Sequence, residues 1–204
     1  MSQQVRSEMP SAENSSNFNV VADSATTVGS TLDNLKAAVT GETGATTKYS
    51  AYAEMAEKAG LKQIASLWRA TAAAELIHID MEYKLVAKDD PSWAKPSASA
   101  PSEAPVDLNL IDSANGEIYE TSDMYPAFIK KAQEEGRADA VRVFTRAKLA
   151  EAYHAERYLQ AYNNIDNADD EKYYLCPLCG YIHKGKDFEK CPICFCPADK
   201  FREF

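Results

Sequence analysis

Two four-residue motifs constrain this chain more than anything else in it: E-L-I-H, from Glu75 to His78, and E-A-Y-H, from Glu151 to His154. Both lie in stretches that read as helix. Positions three apart share a helix face, so each motif aims a carboxylate and an imidazole at one point. Such a pair from each of two helices, joined by a Glu from each of two others, is the donor set of two-metal carboxylate bundles. The chain has the remaining glutamates as well, and it ends in four cysteines spaced for a further metal.

The candidate ligands fall on apolar stripes. The inward series of the first helix runs Leu32, Leu35, Val39, Glu42, Tyr49. The second runs Ile64, Trp68, Thr71, Glu75, His78, and the third Leu110, Glu117, Glu120, Met124, Phe128. The fourth runs Phe144, Ala147, Glu151, His154, Tyr158. Glu is the default residue of a solvated helix face, so Glu42, Glu117 and Glu120 alone say little. On core stripes they stand where Leu or Ala is expected. A buried, isolated carboxylate is costly unless paired or neutralised. The five carboxylates, Glu42, Glu75, Glu117, Glu120 and Glu151, therefore call for cations. Two divalent or two trivalent ions come near to balancing them, which suits a redox centre.

The helices form two similar halves. Asn34-Leu35 precedes Gly41-Glu42 by the interval at which Asn109-Leu110 precedes Gly116-Glu117. Gly60 lies 15 residues before Glu75, and Gly136 lies 15 before Glu151. Trp68 and Phe144 each follow their glycine by eight residues. The offset of 75 to 76 residues is too long for a solenoid and suits a duplicated helical hairpin. The expected fold class is all-α: a ferritin-like four-helix bundle with one long crossover, plus a small C-terminal four-cysteine metal domain.

The expected boundaries follow composition. Residues 1–29 are a flexible polar tail, and 30–165 are the bundle. Within it, residues 88–106 carry four prolines and no helical pattern, and read as the crossover. Residues 172–204 are the cysteine domain. A net charge of −9 argues against nucleic acid as a partner. No apolar run reaches the ~18–20 residues of a membrane span. The N-terminal stretch has no apolar core of the secretory kind, and the cysteines come in C-x-x-C pairs, so a reducing, cytoplasmic setting is expected.

Cys176-Pro-Leu-Cys179 and Cys191-Pro-Ile-Cys194 supply four thiolates for one tetrahedral metal. The cysteines alone leave zinc and iron open. The segment is too short to fold on its own core, so metal is needed for its folding. Cys196 lies outside the pattern, and His183 is expected on the loop between the two cysteine turns.

The segments G-E-T-G-A-T-T-K-Y, A-E-L-I-H, G-E-I-Y-E-T-S-D-M-Y-P-A-F and A-E-A-Y-H-A-E-R-Y-L, followed by C-P-L-C-G-Y and C-P-I-C, together resemble the rubrerythrin family. The resemblance covers residues 31–204 apart from the proline-rich stretch. It implies a di-iron site with Glu75 and Glu151 as bridging carboxylates. Glu42 is then a terminal ligand of the first iron, and Glu117 and His154 are those of the second. His78 and Glu120 are the pair that exchange at the first iron with its oxidation state. Tyr49 and Tyr125 stand beside the site, and Cys176, Cys179, Cys191 and Cys194 hold a mononuclear, rubredoxin-like iron. The tail, the proline-rich stretch and Cys196 depart from the family pattern.

The activity implied is that of a non-haem peroxidase protecting against oxidative stress. Hydrogen peroxide would be reduced to water, with electrons from an external NAD(P)H-dependent reductase or a rubredoxin. The resemblance also implies a homodimer, with the cysteine domain of one subunit near the di-iron centre of the other. Two alternatives use the same residues: a ferroxidase or iron-handling protein, and a non-enzymatic scaffold with structural zinc.

Overall fold

The structure is a computed structural model and describes residues 25–167 and 169–204. The tail expected over 1–29 therefore lies almost wholly outside the described residues. Five helices, α1 (Thr31–Lys58), α2 (Lys62–Asp89), α3 (Val106–Tyr119), α4 (Tyr125–Glu134) and α5 (Ala138–Asn163), precede three short strands. A π-helical segment, Glu120–Met124, joins α3 to α4 into one continuous third rod of a four-helix bundle. Among the described residues no helix is long and apolar enough to cross a membrane.

Each rod starts and stops for local reasons. Ser30 caps α1, accepting from the Asp33 N–H while the Asp33 carboxylate accepts from the Ser30 N–H. The two hairpins turn alike. After α1 the Gly60 N–H reaches the Glu57 carbonyl, and the Leu61 N–H the Ala56 carbonyl. After α4 the Gly136 N–H reaches Gln133 and the Arg137 N–H reaches Ala132. Both glycines have positive φ, +78° and +69°, which closes the last turn cheaply only without a Cβ. The duplicated hairpin thus has a duplicated stop.

α1 packs along α2, and α3 and α4 pack along α5, with α2 against α5 joining the halves. The core has two apolar ends with a polar middle. At one end Tyr49, Tyr52, Trp68, Leu110 and Tyr158 cluster. There the Trp68 indole N–H donates to Ser113 Oγ at 3.0 Å, and Ser113 donates on to the Asn109 carbonyl at 2.8 Å. At the other end Leu35, Val39, Tyr125, Phe128 and Phe144 pack. The connection between the hairpins begins at Asp90 and ends at Pro105, one or two residues inside the expected bounds. It is anchored where Trp93 packs on Tyr83 and Lys36 pairs with Asp90 at 2.8 Å.

The C-terminal segment is a three-stranded antiparallel sheet, ordered β2 (Ile182–Lys184), β1 (Tyr173–Leu175), β3 (Arg202–Glu203). It sits on α2 and α5 of its own bundle. The proximity of cysteine domain and bundle, expected between subunits, is thus present within a single chain.

Candidate metal centre

The polar middle of the bundle is built from all four rods. Glu42 comes from α1, Glu75 and His78 from α2, Glu117 from α3, and Glu151 and His154 from α5. Each of these six side chains is wholly buried. They form two quartets, Glu42–Glu75–His78–Glu151 and Glu75–Glu117–Glu151–His154, whose ligand atoms lie within 4.8 Å of one another. Glu75 and Glu151 belong to both quartets, which is the placement a bridging carboxylate needs. The two imidazoles lie nearly parallel, with ring centroids 6.1 Å apart.

These groups converge at ion-pair distance without aligned hydrogen bonds. His78 Nδ1 lies 2.9 Å from Glu75 Oε2 and 2.8 Å from Glu151 Oε1. His154 Nδ1 lies 2.7 Å from Glu151 Oε2. Neither nitrogen is aligned for a hydrogen bond, and both oxygens of Glu75 and of Glu151 are also without one. Buried polar atoms are nearly always satisfied. Orphan donor atoms aimed at two common points fit a pair of metal ions.

The electrostatics carry the same message. Burial, then the Glu151 charge, pushes the Glu75 carboxyl well up. Burial also takes Glu117 up to about 7. For Glu151 burial is outweighed by the two histidines, which hold it at about 2. Burial opposes the imidazolium of His78 too, but the Glu151 charge and nearby carboxylates push it well up. Without metal, the core neutralises itself with protons, and metal ions would replace them.

Three side chains surround the quartets. The Tyr49 hydroxyl donates to Glu117 Oε1 at 2.6 Å. The Tyr125 hydroxyl lies 2.5 Å from Glu42 Oε1 and 2.9 Å from Glu82 Oε1. Glu82 is a further buried carboxylate that the helical reading missed. Its signal was present: it continues the α2 stripe one turn past His78. Glu120 stands outside both quartets. It lies at the start of the π segment, partly buried, with no hydrogen-bond partner among the described residues. Burial, then the Glu42 charge, pushes its carboxyl well up.

The π segment has a covalent cause. Pro126 lacks an N–H, and its ring would strike the carbonyl four residues back in a regular helix. The widened turn accepts it, with the Tyr125 N–H bonding back five residues to the Glu120 carbonyl.

The four cysteines meet as the spacing requires. Cys176 Sγ lies 3.4 Å from Cys194 Sγ, and Cys179 Sγ lies 3.5 Å from Cys191 Sγ. A tetrahedral site with metal–sulfur bonds of about 2.3 Å sets sulfurs about 3.8 Å apart, so the cluster fits one ion after slight expansion. The hydrogen bond with Cys176 pushes the Cys179 thiol up and holds Cys191 far down, as expected of thiols crowded without a cation. Cys196 is buried beside them but outside the quartet. His183 requires a correction: it sits on strand β2, not a loop, where Tyr181 and Asp187 occupy its two nitrogens at 2.7 and 2.9 Å.

The two sites touch. His78 Nε2 lies 3.1 Å from the Cys179 carbonyl, and His154 Nε2 lies 2.8 Å from that of Gly180. Each histidine therefore gives Nδ1 to the bundle and Nε2 to the cysteine domain, and its tautomer is fixed by the second contact. Gly180, at φ +79°, is the one residue type that fits, because a Cβ there would overlap His78.

The family model for rubrerythrin matches residues 33–162. The chain is a member of the rubrerythrin family. It is 66% identical to nigerythrin of Nitratidesulfovibrio vulgaris, over 98% of this chain and 99% of that one. It is 34% identical to rubrerythrin-1 of Clostridium acetobutylicum, over 84% and 92%. A solved structure of nigerythrin in its fully reduced, all-ferrous state superposes with a TM-score of 0.92, covering 99% of this chain and 100% of that one at 65% identity. As a rubrerythrin-family protein the chain carries a carboxylate–histidine di-iron site in the bundle and a four-cysteine site after it.

Proposed function

We propose that this rubrerythrin-family protein is a non-haem peroxidase that reduces hydrogen peroxide to water. The contact between the two sites supports the reading best: the carbonyls of Cys179 and Gly180 hold both bundle histidines, at 3.1 and 2.8 Å. A storage site has no need of a thiolate centre wired to its ligands. When bound, iron supplies the redox chemistry, one electron from each of two ferrous ions, with later electrons entering singly through the thiolate iron from an NAD(P)H-dependent reductase or a rubredoxin. Reduction of one peroxide to two waters consumes two electrons and two protons.

The residues take the following parts. Glu75 and Glu151 would be the ligands that two metals share, a role supported by their membership of both quartets. Glu42 is a terminal ligand on one side, and Glu117 and His154 are those on the other. His78 and Glu120 would be the two alternative ligands of the first metal. Glu120 has no hydrogen-bond partner among the described residues, so among them it can move without breaking a hydrogen bond. Tyr49 and Tyr125 are buried, and burial with neighbouring carboxylates holds their hydroxyls well above the ordinary phenol range. They keep their protons and donate to Glu117 and Glu42, orienting those ligands. Cys176, Cys179, Cys191 and Cys194 hold the mononuclear iron. The protein works in the cytoplasm as a homodimer.

Anaerobically reduced protein, iron-loaded at both sites, is titrated with hydrogen peroxide while the ferric thiolate colour is followed. The expected result is rapid return of colour with one peroxide consumed for every two ferrous ions. Peroxide that persists, with growth of iron mineral under dioxygen, would replace this reading with the ferroxidase one.

A further inference from the structure

The six buried residues of the quartets have no exposed surface. Any oxidant must therefore reach them through an opening in the bundle. One cavity of about 350 Å³ opens between α1 and α3 and has Glu120 and Tyr49 in its lining. Its floor includes Glu120 and Tyr49, its walls Gly41, Gly44 and Gly116, and its outer lip Ser99 and Pro101 of the crossover.

The glycines are the informative part. All three sit inside helices, where glycine weakens the helix relative to alanine. The usual reason for a helical glycine is a neighbour too close to admit a Cβ. Here a Cβ on Gly44 would meet nothing within 4 Å, and one on Gly41 only Glu120 Oε1 at 4.0 Å. On Gly116 it would meet Lys48 Nζ and the Tyr49 hydroxyl at 3.8 Å, ordinary contact distances. Packing does not demand glycine at any of these positions. What their missing side chains leave is the cavity itself. At its floor lies a carboxylate of the centre that no described residue hydrogen-bonds, Glu120.

The lip has its own physical character. Residues 94–105 form no helix or strand, and Pro96, Pro101 and Pro105 fix φ along them. A proline-rich strip holds its shape without hydrogen bonds, so it forms a stiff rim. Lys48, held by Asp112 at 2.9 Å, stands beside it.

We propose that the glycine-lined cleft and the proline-rich crossover form a size-selective entry to the di-iron centre, admitting hydrogen peroxide and excluding bulky organic hydroperoxides. This rests on the peroxidase reading for the identity of the oxidant, but not for the existence of the entry. The cavity is ample for peroxide, and Ser99 and Pro101 of the proline-rich strip are part of its lining.

Two variants and two readouts test it. Gly44→Leu projects a side chain into open space and favours the helix, so the fold is retained. A double variant, Ser99→Gly with Pro101→Gly, loosens the lip. One readout is kcat/KM for hydrogen peroxide and for cumene hydroperoxide. The other is the rate of azide binding to the reduced, iron-loaded centre, followed by absorption without turnover. Gly44→Leu is expected to slow peroxide turnover and azide binding at least tenfold with an unchanged melting temperature. The lip variant is expected to raise the cumene-to-hydrogen peroxide ratio severalfold. Azide rates and substrate ratios that match the unaltered protein in both variants would overturn the entry. If peroxide is not turned over at all while Gly44→Leu still slows azide, the entry stands and the peroxidase reading falls.

Discussion

Tyr125 has one hydroxyl proton and faces two carboxylates, Glu42 at 2.5 Å and Glu82 at 2.9 Å. It can donate to only one of them. Burial, then the Glu42 charge, pushes the Glu82 carboxyl well up, so Glu82 keeps its own proton. The consistent arrangement runs from the Glu82 hydroxyl to the Tyr125 oxygen, and from the Tyr125 hydroxyl to Glu42. That is a chain ending on a candidate metal ligand, with a spare proton at its head. Glu82→Gln keeps a donor toward Tyr125 but cannot release a proton. We expect its urea stability to stay within about 1 kcal/mol of the parent, because the hydrogen bond survives. Peroxide turnover should fall on the order of 100-fold, the scale of a lost proton donor. Glu82→Ala should lower stability as well, by roughly 1–3 kcal/mol, since it leaves Tyr125 short of a partner. Turnover in Glu82→Gln equal to the parent's would remove Glu82 from the proton supply. Glu82 was legible in principle, one helical turn beyond His78. A Glu among Asp80, Tyr83 and Lys84, however, reads as part of a solvated face.

At the scale of elements, the helices and the convergence of their carboxylates and imidazoles are legible because the signal is local. Glu75 with His78, and Glu151 with His154, need only the helical repeat to converge. The turns at Gly60 and Gly136 need only a positive φ. Two features were not legible. The π segment, which begins at Glu120, depends on how a continuous rod absorbs Pro126, which a regular repeat cannot express. The docking of the cysteine domain joins Cys179 to His78, about 100 residues away in sequence, and Gly180 to His154, and no local pattern encodes it. His183 was misplaced for a related reason: β2 exists only through pairing with β1. The docking contact gives its own prediction. Gly180→Ala adds a Cβ that overlaps the His78 ring at a φ of +79°. We expect the thiolate absorption to survive and re-reduction of the oxidised di-iron centre through the thiolate iron to slow at least tenfold. Gly60→Ala is the control for backbone strain, with φ +78° but open space around the added carbon. It should cost about 1 kcal/mol and leave that re-reduction unchanged. Equal slowing in both variants would mean that strain, not the contact with His78, was responsible.

At the scale of the whole molecule, the core exchanges metal for protons, and this fixes the sign of its pH dependence. In the metal-free chain burial raises Glu117 from 4.5 to about 7. The folded state then holds a proton that the unfolded state has released, so this stability is present below about 4.5 and is lost as pH rises through about 7. The histidines act in the same direction, since their folded values lie well above 6.5. Glu151 has the opposite sign, but its change lies between 4.5 and about 2, below this window. The surface carboxylates Glu135 and Asp139, both held near 2, also act only there. Each pKa unit is about 1.4 kcal/mol, so Glu117 alone removes roughly 3 kcal/mol across its range. Metal reverses the slope. Bound ions need deprotonated carboxylates and neutral imidazoles, so affinity and the stability linked to it rise with pH. The melting temperature of chelator-stripped protein is therefore expected to fall by several degrees between about pH 5 and about pH 8. That of the iron-loaded protein is expected to rise over the same range. Slopes of the same sign would show that the metals do not displace protons from the buried carboxylates. Opposite slopes would tie the stability of the bundle to the occupancy of its centre, because Glu117, His78 and His154 hold either a proton or a metal and the fold has no third way to bury them.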